Sequence, residues 1–157
     1  MRSGYDIRPA TADDAWLLCN IVGAVHATLG LAFDETGDDA DLVRIDEAYR
    51  APGGEFWVLE CNGAVSGCVG IRPDGCGGAE LRRLYLAPAW RGLGLGRSLC
   101  ETALAFAGEH NLSPVWAVAP GPCVENAALF AALGFRQTEP PEGVTLPESG
   151  MYLQRVD

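Results

Sequence analysis

The sequence predicts an α+β domain built around one mixed sheet. Three observations carry that expectation. Short β-branched and aromatic runs alternate with stretches of helical periodicity. A cluster of glycines separates a strand from a helix instead of interrupting either. No internal repeat, low-complexity stretch or linker divides the 157 residues. That length suits a single domain, 1–157, able to bury roughly 70% of the surface its unfolded chain exposes.

The elements follow in order. Tyr5 to Pro9 reads as a short first strand. Thr11 then caps a helix with Asp13 and Asp14 in its first turn. Leu18, Ile21, Val22, Val25 and Leu29 form its apolar stripe. A second helix is expected from Asp39 to Tyr49, carrying Leu42, Val43 and Ile45, and ended by Pro52-Gly53-Gly54. Strands over Glu55 to Cys61 and Ala64 to Ile71 are joined by Asn62-Gly63, the strongest short hairpin signal. A glycine-rich turn, Asp74 to Gly78, leads into a strand from Ala79 to Leu86. A glycine loop and a helix from about Gly94 to Glu109 come next, then a strand from Val115 to Ala119. A helix over Glu125 to Leu133 stops at Gly134, and residues 149–156 read as the closing strand.

Composition removes several functions. Every one of the 11 basic residues is arginine. Without lysine, the P-loop and Schiff-base chemistries are excluded. A net charge of −10 argues against nucleic acid as a partner. No apolar run is long enough to cross a membrane, and Met1 to Asp6 carries no apolar signal core. The expected location is the cytoplasm, where the 6 cysteines read as reduced thiols. His26 and His110 share no metal-type spacing with the cysteines, so no metal is expected.

The informative stretch runs from Leu81 to Leu99. Gly92, Gly94 and Gly96 let the backbone approach a ligand closely and turn its amides toward it. The helix that follows brings its unpaired N–H groups and positive dipole end to the same place. Arg91 and Arg97 bracket the loop, and phosphate oxygens pair well with guanidinium. Together these features read as a pyrophosphate cradle. The dinucleotide fingerprint needs glycine at its first, third and sixth positions. From Gly92 the sixth position is Arg97 and from Gly94 it is Leu99, so a hydride-transfer enzyme is disfavoured. Arg82, Arg83, Arg91 and Arg97 put four of the 11 arginines around one strand and loop, where a phosphate-bearing ligand needs them.

Arg91-x-x-Gly94-x-Gly96 after the strand, with Asn126-Ala127-Ala128-Leu129-Phe130-Ala131-Ala132-Leu133-Gly134-Phe135 later, resembles the GNAT superfamily of acyl-CoA-dependent N-acetyltransferases. The order of strands and helices agrees along nearly the whole chain. The resemblance implies a GNAT-like fold, a mostly antiparallel sheet splayed at its centre and flanked by helices. It implies acetyl-CoA as co-substrate. Backbone amides of Arg91, Gly92, Leu93, Gly94, Leu95, Gly96, Arg97 and Ser98 would hold its pyrophosphate. Backbone around Leu84, Tyr85 and Leu86 would take the pantetheine arm and thioester, with Asn126 and Phe130 also on the cofactor. Family habit implies a homodimer.

The implied reaction is attack of a primary amine, on an unidentified small-molecule acceptor, at the thioester. Neutralising a side-chain amine of pKa ~10.4 at pH 7 costs about 4.6 kcal/mol, against about 1 kcal/mol for an α-amino group near ~7.8. A general base therefore matters most for the former. Glu80, at the start of the strand where the family often places a carboxylate, is the candidate; the alternative is a surface residue paired with Arg82 or Arg83. The family's usual tyrosine, which protonates the leaving thiolate, is replaced here by Phe130; water, Tyr85 or Tyr152 would have to act instead. His26, Phe33 and Tyr152 are the candidate acceptor-binding residues, beside an acidic loop holding Asp34, Glu35 and Asp38. Two other readings stay open: a CoA-binding sensor without turnover, and a structural domain that binds no CoA.

Overall fold

The computed structural model describes residues 4–28, 30, 32–34, 36, 37, 39–119, 127–144, 146 and 151–155. Seven strands form one sheet: β1 (Tyr5–Pro9), β2 (Glu55–Cys61), β3 (Ala64–Pro73), β4 (Ala79–Leu86), β5 (Val115–Ala119), β6 (Phe135–Gln137) and β7 (Met151–Arg155). Their spatial order is β1-β2-β3-β4-β5-β7-β6. Every neighbouring pair is antiparallel except β4 with β5, which are parallel. Three α-helices, α1 (Ala15–Thr28), α2 (Leu95–Glu109) and α3 (Ala127–Ala132), and short helical turns at Ala12–Asp14, Ala40–Val43, Asp46–Arg50 and Pro88–Trp90 complete the described elements. The architecture is α+β, with a mostly antiparallel sheet between helices.

Both faces of the sheet are covered, which explains why β2 does not alternate apolar with polar. Trp57 and Leu59 face a core shared with Leu99, Ala103 and Phe135. Phe56 and Val58 face the opposite core, with Leu18, Val22, Leu42 and Tyr49. Asn62 (φ 53°) and Gly63 (φ 84°) take the left-handed conformations that the tight β2–β3 hairpin turn requires. Arg8 of β1 is bidentate on Asp14 at 2.9 and 3.0 Å, fastening the sheet edge to the entry of α1. That hydrogen bond outweighs burial and holds the Asp14 carboxyl below its usual range.

Five sequence expectations need adjustment. Thr11 leads into a short 3₁₀ turn, Ala12–Asp14, before α1 begins. The expected helix over Asp39 to Tyr49 is absent; a 3₁₀ turn at Ala40–Val43 is followed by one wide helical turn at Asp46–Arg50. Leu42, Ile45 and Tyr49 are buried as a helix would bury them, but Asp39 and Asp41 reach into the sheet to Arg83 and break the register at Arg44 (φ −136°). Val43, expected on that helix with Leu42 and Ile45, is exposed. Strand β3 extends past Ile71 to Pro73. Finally, β6 was not legible in the sequence: its three residues expose Arg136 and Gln137 and bury only Phe135. Leu29 of the expected α1 stripe, and residues 125, 126, 149, 150 and 156 of the two later elements, lie outside the described residues.

Candidate active site

Strand β4 positions the site. It pairs with β5 at Ala79↔Val115 and Glu80↔Trp116, near its start. It then runs on to Leu86, while β5 continues along β7 from Trp116↔Gln154 to Ala119↔Met151. The two parallel strands therefore part from Leu81 onward. Opposite β3, the register passes from Gly70↔Arg82 to Cys68↔Tyr85, so β4 contains one extra residue. Arg83 sits in this bulge at φ 59°. The bulge resets the alternation: Ala79, Leu81, Leu84 and Leu86 all pack toward α2, while Tyr85 packs toward α1.

The cradle lies where β4 gives way to α2. Gly92 and Gly94 both have φ 79°, and a Cβ placed on either meets nothing within 4 Å. Open space therefore fronts the loop. Gly94 caps α2, and Ser98 N–H donates to its carbonyl at 3.2 Å. The amides between them point out of the helix end, where an anion would sit. The Leu95 side chain is buried and anchors the turn from below. Leu93 is 64% exposed beside it. Arg91 folds back on the Leu86 carbonyl at 2.9 Å, and Arg97 meets Glu101 at 3.3 Å; both are exposed, at the rim of the loop. These groups fit a phosphate-bearing ligand such as CoA. Among the described residues no cluster of three or more His, Cys, Asp or Glu has metal-binding geometry, and no helix is long and apolar enough to cross a membrane.

Arg82 and Arg83 do not join that cradle, contrary to their grouping with Arg91 and Arg97. Arg83 points to the α1 side and is almost wholly buried. It contacts Asp39 at 2.8 Å and Asp41 at 2.6 and 3.0 Å. Tyr49 donates its hydroxyl to Asp41 at 2.5 Å. Burial alone would raise Asp41, but the Arg83 hydrogen bond and charge prevail and hold it below the usual carboxylate range. Burial, with the Asp41 charge beside it, pushes Tyr49 well above an ordinary phenol. Neither aspartate was singled out in the sequence. The available signal was two acids flanking Ala40 just before a buried leucine.

His26 turns inward from α1. Its Nε2 lies 3.4 Å from the Tyr85 hydroxyl, and its Nδ1 is 3.9 Å from Asp39 Oδ2. The ring centroids of Phe33 and Tyr85 lie 6.1 and 6.2 Å from that of His26, so two of the three candidate acceptor residues, His26 and Phe33, lie side by side. Tyr152 is placed elsewhere: on β7 its ring packs against Trp116 at 5.5 Å, and its hydroxyl meets Gln154. Of the acidic loop, Asp34 accepts from Thr36, while Glu35 and Asp38 lie outside the described residues.

Glu80 lies on the same face, paired with Arg72 at 3.1 Å and Arg82 at 3.7 Å; Arg82 was an expected partner, and Arg72 was not. Arg72 and Arg82 help line an open concavity of ≈ 360 Å³, together with Arg44, Asp41 and Glu47. Phe130 is buried, edge-on against Phe135. Asn126 lies outside the described residues. Of the cysteines, Cys68 and Cys100 are buried free thiols, each pushed up to about 12 by burial, which keeps them unreactive.

Known proteins resemble this chain in sequence and in fold. The chain is 31% identical over 147 residues to the uncharacterized N-acetyltransferase YjgM of Escherichia coli, covering 88% of this chain and 86% of that protein. It is 32% identical over 129 residues to N-acetylaspartate synthetase of Rattus norvegicus, covering 81% of this chain but only 42% of that protein. The structure of yncA from Salmonella typhimurium with its cofactor acetyl-CoA is 27% identical, with TM-score 0.75 over 97% of this chain and 93% of that one. A GNAT-family acetyltransferase of Staphylococcus aureus Mu50 shares the fold at TM-score 0.87 and 16% identity, over 97% of this chain and 98% of that one. Residues 23–135 match the acetyltransferase (GNAT) family, a span that takes in both the glycine cradle and the parting of β4 from β5, and the chain belongs to that family.

Proposed function

We propose that this protein transfers the acetyl group of acetyl-CoA to the primary amine of a small-molecule acceptor. The carrying observation is the parting of β4 from β5 beyond Glu80, directly beside the Gly92–Ser98 cradle. A phosphate-bearing arm seated in the cradle can run into the gap between the strands. There the backbone of Leu84, Tyr85 and Leu86 would orient the thioester, and the acceptor would approach from the α1 side. Acetyl-CoA supplies the activated acyl group. Glu80 is the residue proposed to take the acceptor's ammonium proton.

An acceptor that carries a carboxylate fits this site best. Arg44, Arg72 and Arg82 line the concavity next to Glu80, against Asp41 and Glu47, so a carboxylate can meet the guanidinium groups in excess of those two acids while the ammonium meets Glu80. The likeness to N-acetylaspartate synthetase, named for an acetylated acidic amino acid, supports the same class.

Calorimetry with CoA and thiol release from acetyl-CoA over an amine panel test this reading. The expected result is CoA binding and turnover, with aspartate and glutamate preferred over polyamines and aminoglycosides. Arg82→Gln should raise KM for the acidic amines by about 10- to 100-fold, as loss of a charge-assisted hydrogen bond predicts. Glu80→Gln should lower turnover more than CoA affinity, and an unchanged pH–rate profile would remove Glu80 from the base role. Absence of CoA binding would overturn the proposal. Tight CoA binding without turnover on any amine would favour a sensor, the reading that Phe130 keeps open.

A further inference from the structure

The chemistry above leaves one proton without a carrier. When a neutral amine attacks the thioester, a C–N bond forms and the C–S bond breaks. The nitrogen loses one proton and the departing sulfur gains one. Phe130 has no hydroxyl to deliver it, and its ring is packed into the core against Phe135. Tyr152 is turned toward Trp116 and Gln154. Tyr85 is different. It lies on β4 between Leu84 and Leu86, in the stretch that faces the gap, and its hydroxyl is 3.4 Å from His26 Nε2.

The other side of that imidazole is unusual. His26 Nδ1 is buried and has no hydrogen-bond partner among the described residues, yet it faces Asp39 Oδ2 at 3.9 Å. A buried polar nitrogen left unpaired in a core calls for an explanation. Asp39 itself is fixed: its other oxygen holds Arg83 at 2.8 Å, and Oδ2 accepts the Asp34 amide at 2.8 Å. Among the described residues, the charged and titratable groups on this side include Asp39 and Asp41 with Tyr49, Arg82, Arg83 and Tyr85 from β4, Cys68 from β3, Cys19 from α1 and Asp34 from the loop. Arg83 faces both Asp39 and Asp41, so these two carboxylates share one contacting guanidinium.

We propose that Tyr85 is the catalytic hydroxyl that carries the proton from the attacking amine to the departing sulfur, with His26, oriented by Asp39, as its proton store. The Tyr85 oxygen accepts the amine proton as its own proton passes to His26 Nε2. When the thiolate leaves, Tyr85 gives its proton to the sulfur as His26 Nε2 returns its own to the Tyr85 oxygen, so the sulfur ends protonated, Tyr85 and His26 return to their starting forms, and nothing is left over. Tyr85 is the catalytic group; His26 and Asp39 are positioning residues. This inference rests on the acetyl-transfer reading above.

Two measurements test it. The chain has only two histidines, His26 and His110, so the imidazole nitrogens can be assigned by nitrogen-15 NMR with a His26→Gln variant. The neutral His26 ring is expected to carry its proton on Nδ1, toward Asp39, leaving Nε2 to accept from Tyr85. A proton on Nε2 instead would overturn the proposal, and this readout needs no acceptor. In the second, thiol release is followed against pH with acetyl-CoA and L-aspartate, or the best amine of the panel. Tyr85→Phe and His26→Gln should each lower kcat by about 10- to 100-fold with CoA affinity unchanged, and the kcat profile of His26→Gln should differ in shape from those of the wild type and of Glu80→Gln. A His26→Gln enzyme with wild-type kcat and profile would overturn the relay alone. No release by the wild-type enzyme on any amine would overturn the transfer reading, and the relay with it.

Discussion

Replacing Arg83 by methionine is expected to destabilise the fold by about 3–5 kcal/mol, the scale on which removing one partner of a buried ion pair is felt. Methionine keeps the apolar stem of the side chain and removes the guanidinium. The Asp39 and Asp41 side chains are 4% and 8% exposed, and both depend on this one guanidinium. Without it two buried carboxylates lose their contacting cation, Asp39 keeping the Asp34 amide and Asp41 the Tyr49 hydroxyl. The same residue holds the β4 bulge at φ 59°, so its loss also loosens the stretch that presents Leu84, Tyr85 and Leu86 to the gap. At about 2–4 °C per kcal/mol for a chain of this size, the melting temperature should fall by roughly 6–20 °C. Adding Asp39→Asn and Asp41→Asn to Arg83→Met should recover part of the loss. A drop below about 1 kcal/mol in urea unfolding would show that the cluster does not hold the fold.

The pH dependence gives a second signature of the same cluster. Asp41 is held below its usual range by Arg83 in the folded protein. The unfolded chain therefore binds more protons near pH 4, and stability rises with pH there. The contribution is complete above the unfolded value of about 3.9 and is lost as pH falls through the lower folded value. In Arg83→Met the sign reverses. Burial then acts on Asp41 without its cation and raises it, so the variant should gain stability on mild acidification while the wild type stays level. Urea midpoints at pH 7 and pH 5 separate the two behaviours.

How much of this was legible depended on whether the cause was local. The hairpin at Asn62-Gly63 and the glycine loop both follow from backbone conformations that few residues adopt, so the residues announce them. The segment after Asp39 misleads for the opposite reason. Leu42, Ile45 and Tyr49 do carry helical spacing, but the conformation is decided by Arg83, more than 40 residues later, which draws Asp41 into the sheet. The arginines show the same limit. Arg82, Arg83, Arg91 and Arg97 are close in sequence, yet the bulge sends the first two to the α1 side and leaves only the last two at the loop. His26, Phe33 and Tyr85 come together because α1 and its following loop cross the end of β4, and no spacing within the chain encodes that meeting.

Replacing Gly94 by valine should abolish useful CoA affinity while leaving most of the fold intact. Gly94 has φ 79° and ψ 6°, a left-handed conformation that costs an ordinary residue about 1–2 kcal/mol and a β-branched one more. A Cβ there meets no atom of the protein within 4 Å, so internal packing is not disturbed. The new side chain instead occupies the space in front of the α2 amides, where the pyrophosphate would lie. Loss of even two charge-assisted hydrogen bonds there should weaken CoA binding by about 100-fold or more. Asparagine separates the two causes, because it tolerates the left-handed region. Gly94→Asn should restore most of the melting temperature lost in Gly94→Val, yet still bind CoA poorly, since its side chain also stands in the cradle. If both variants bind CoA as the wild type does, the pyrophosphate does not sit at this helix end.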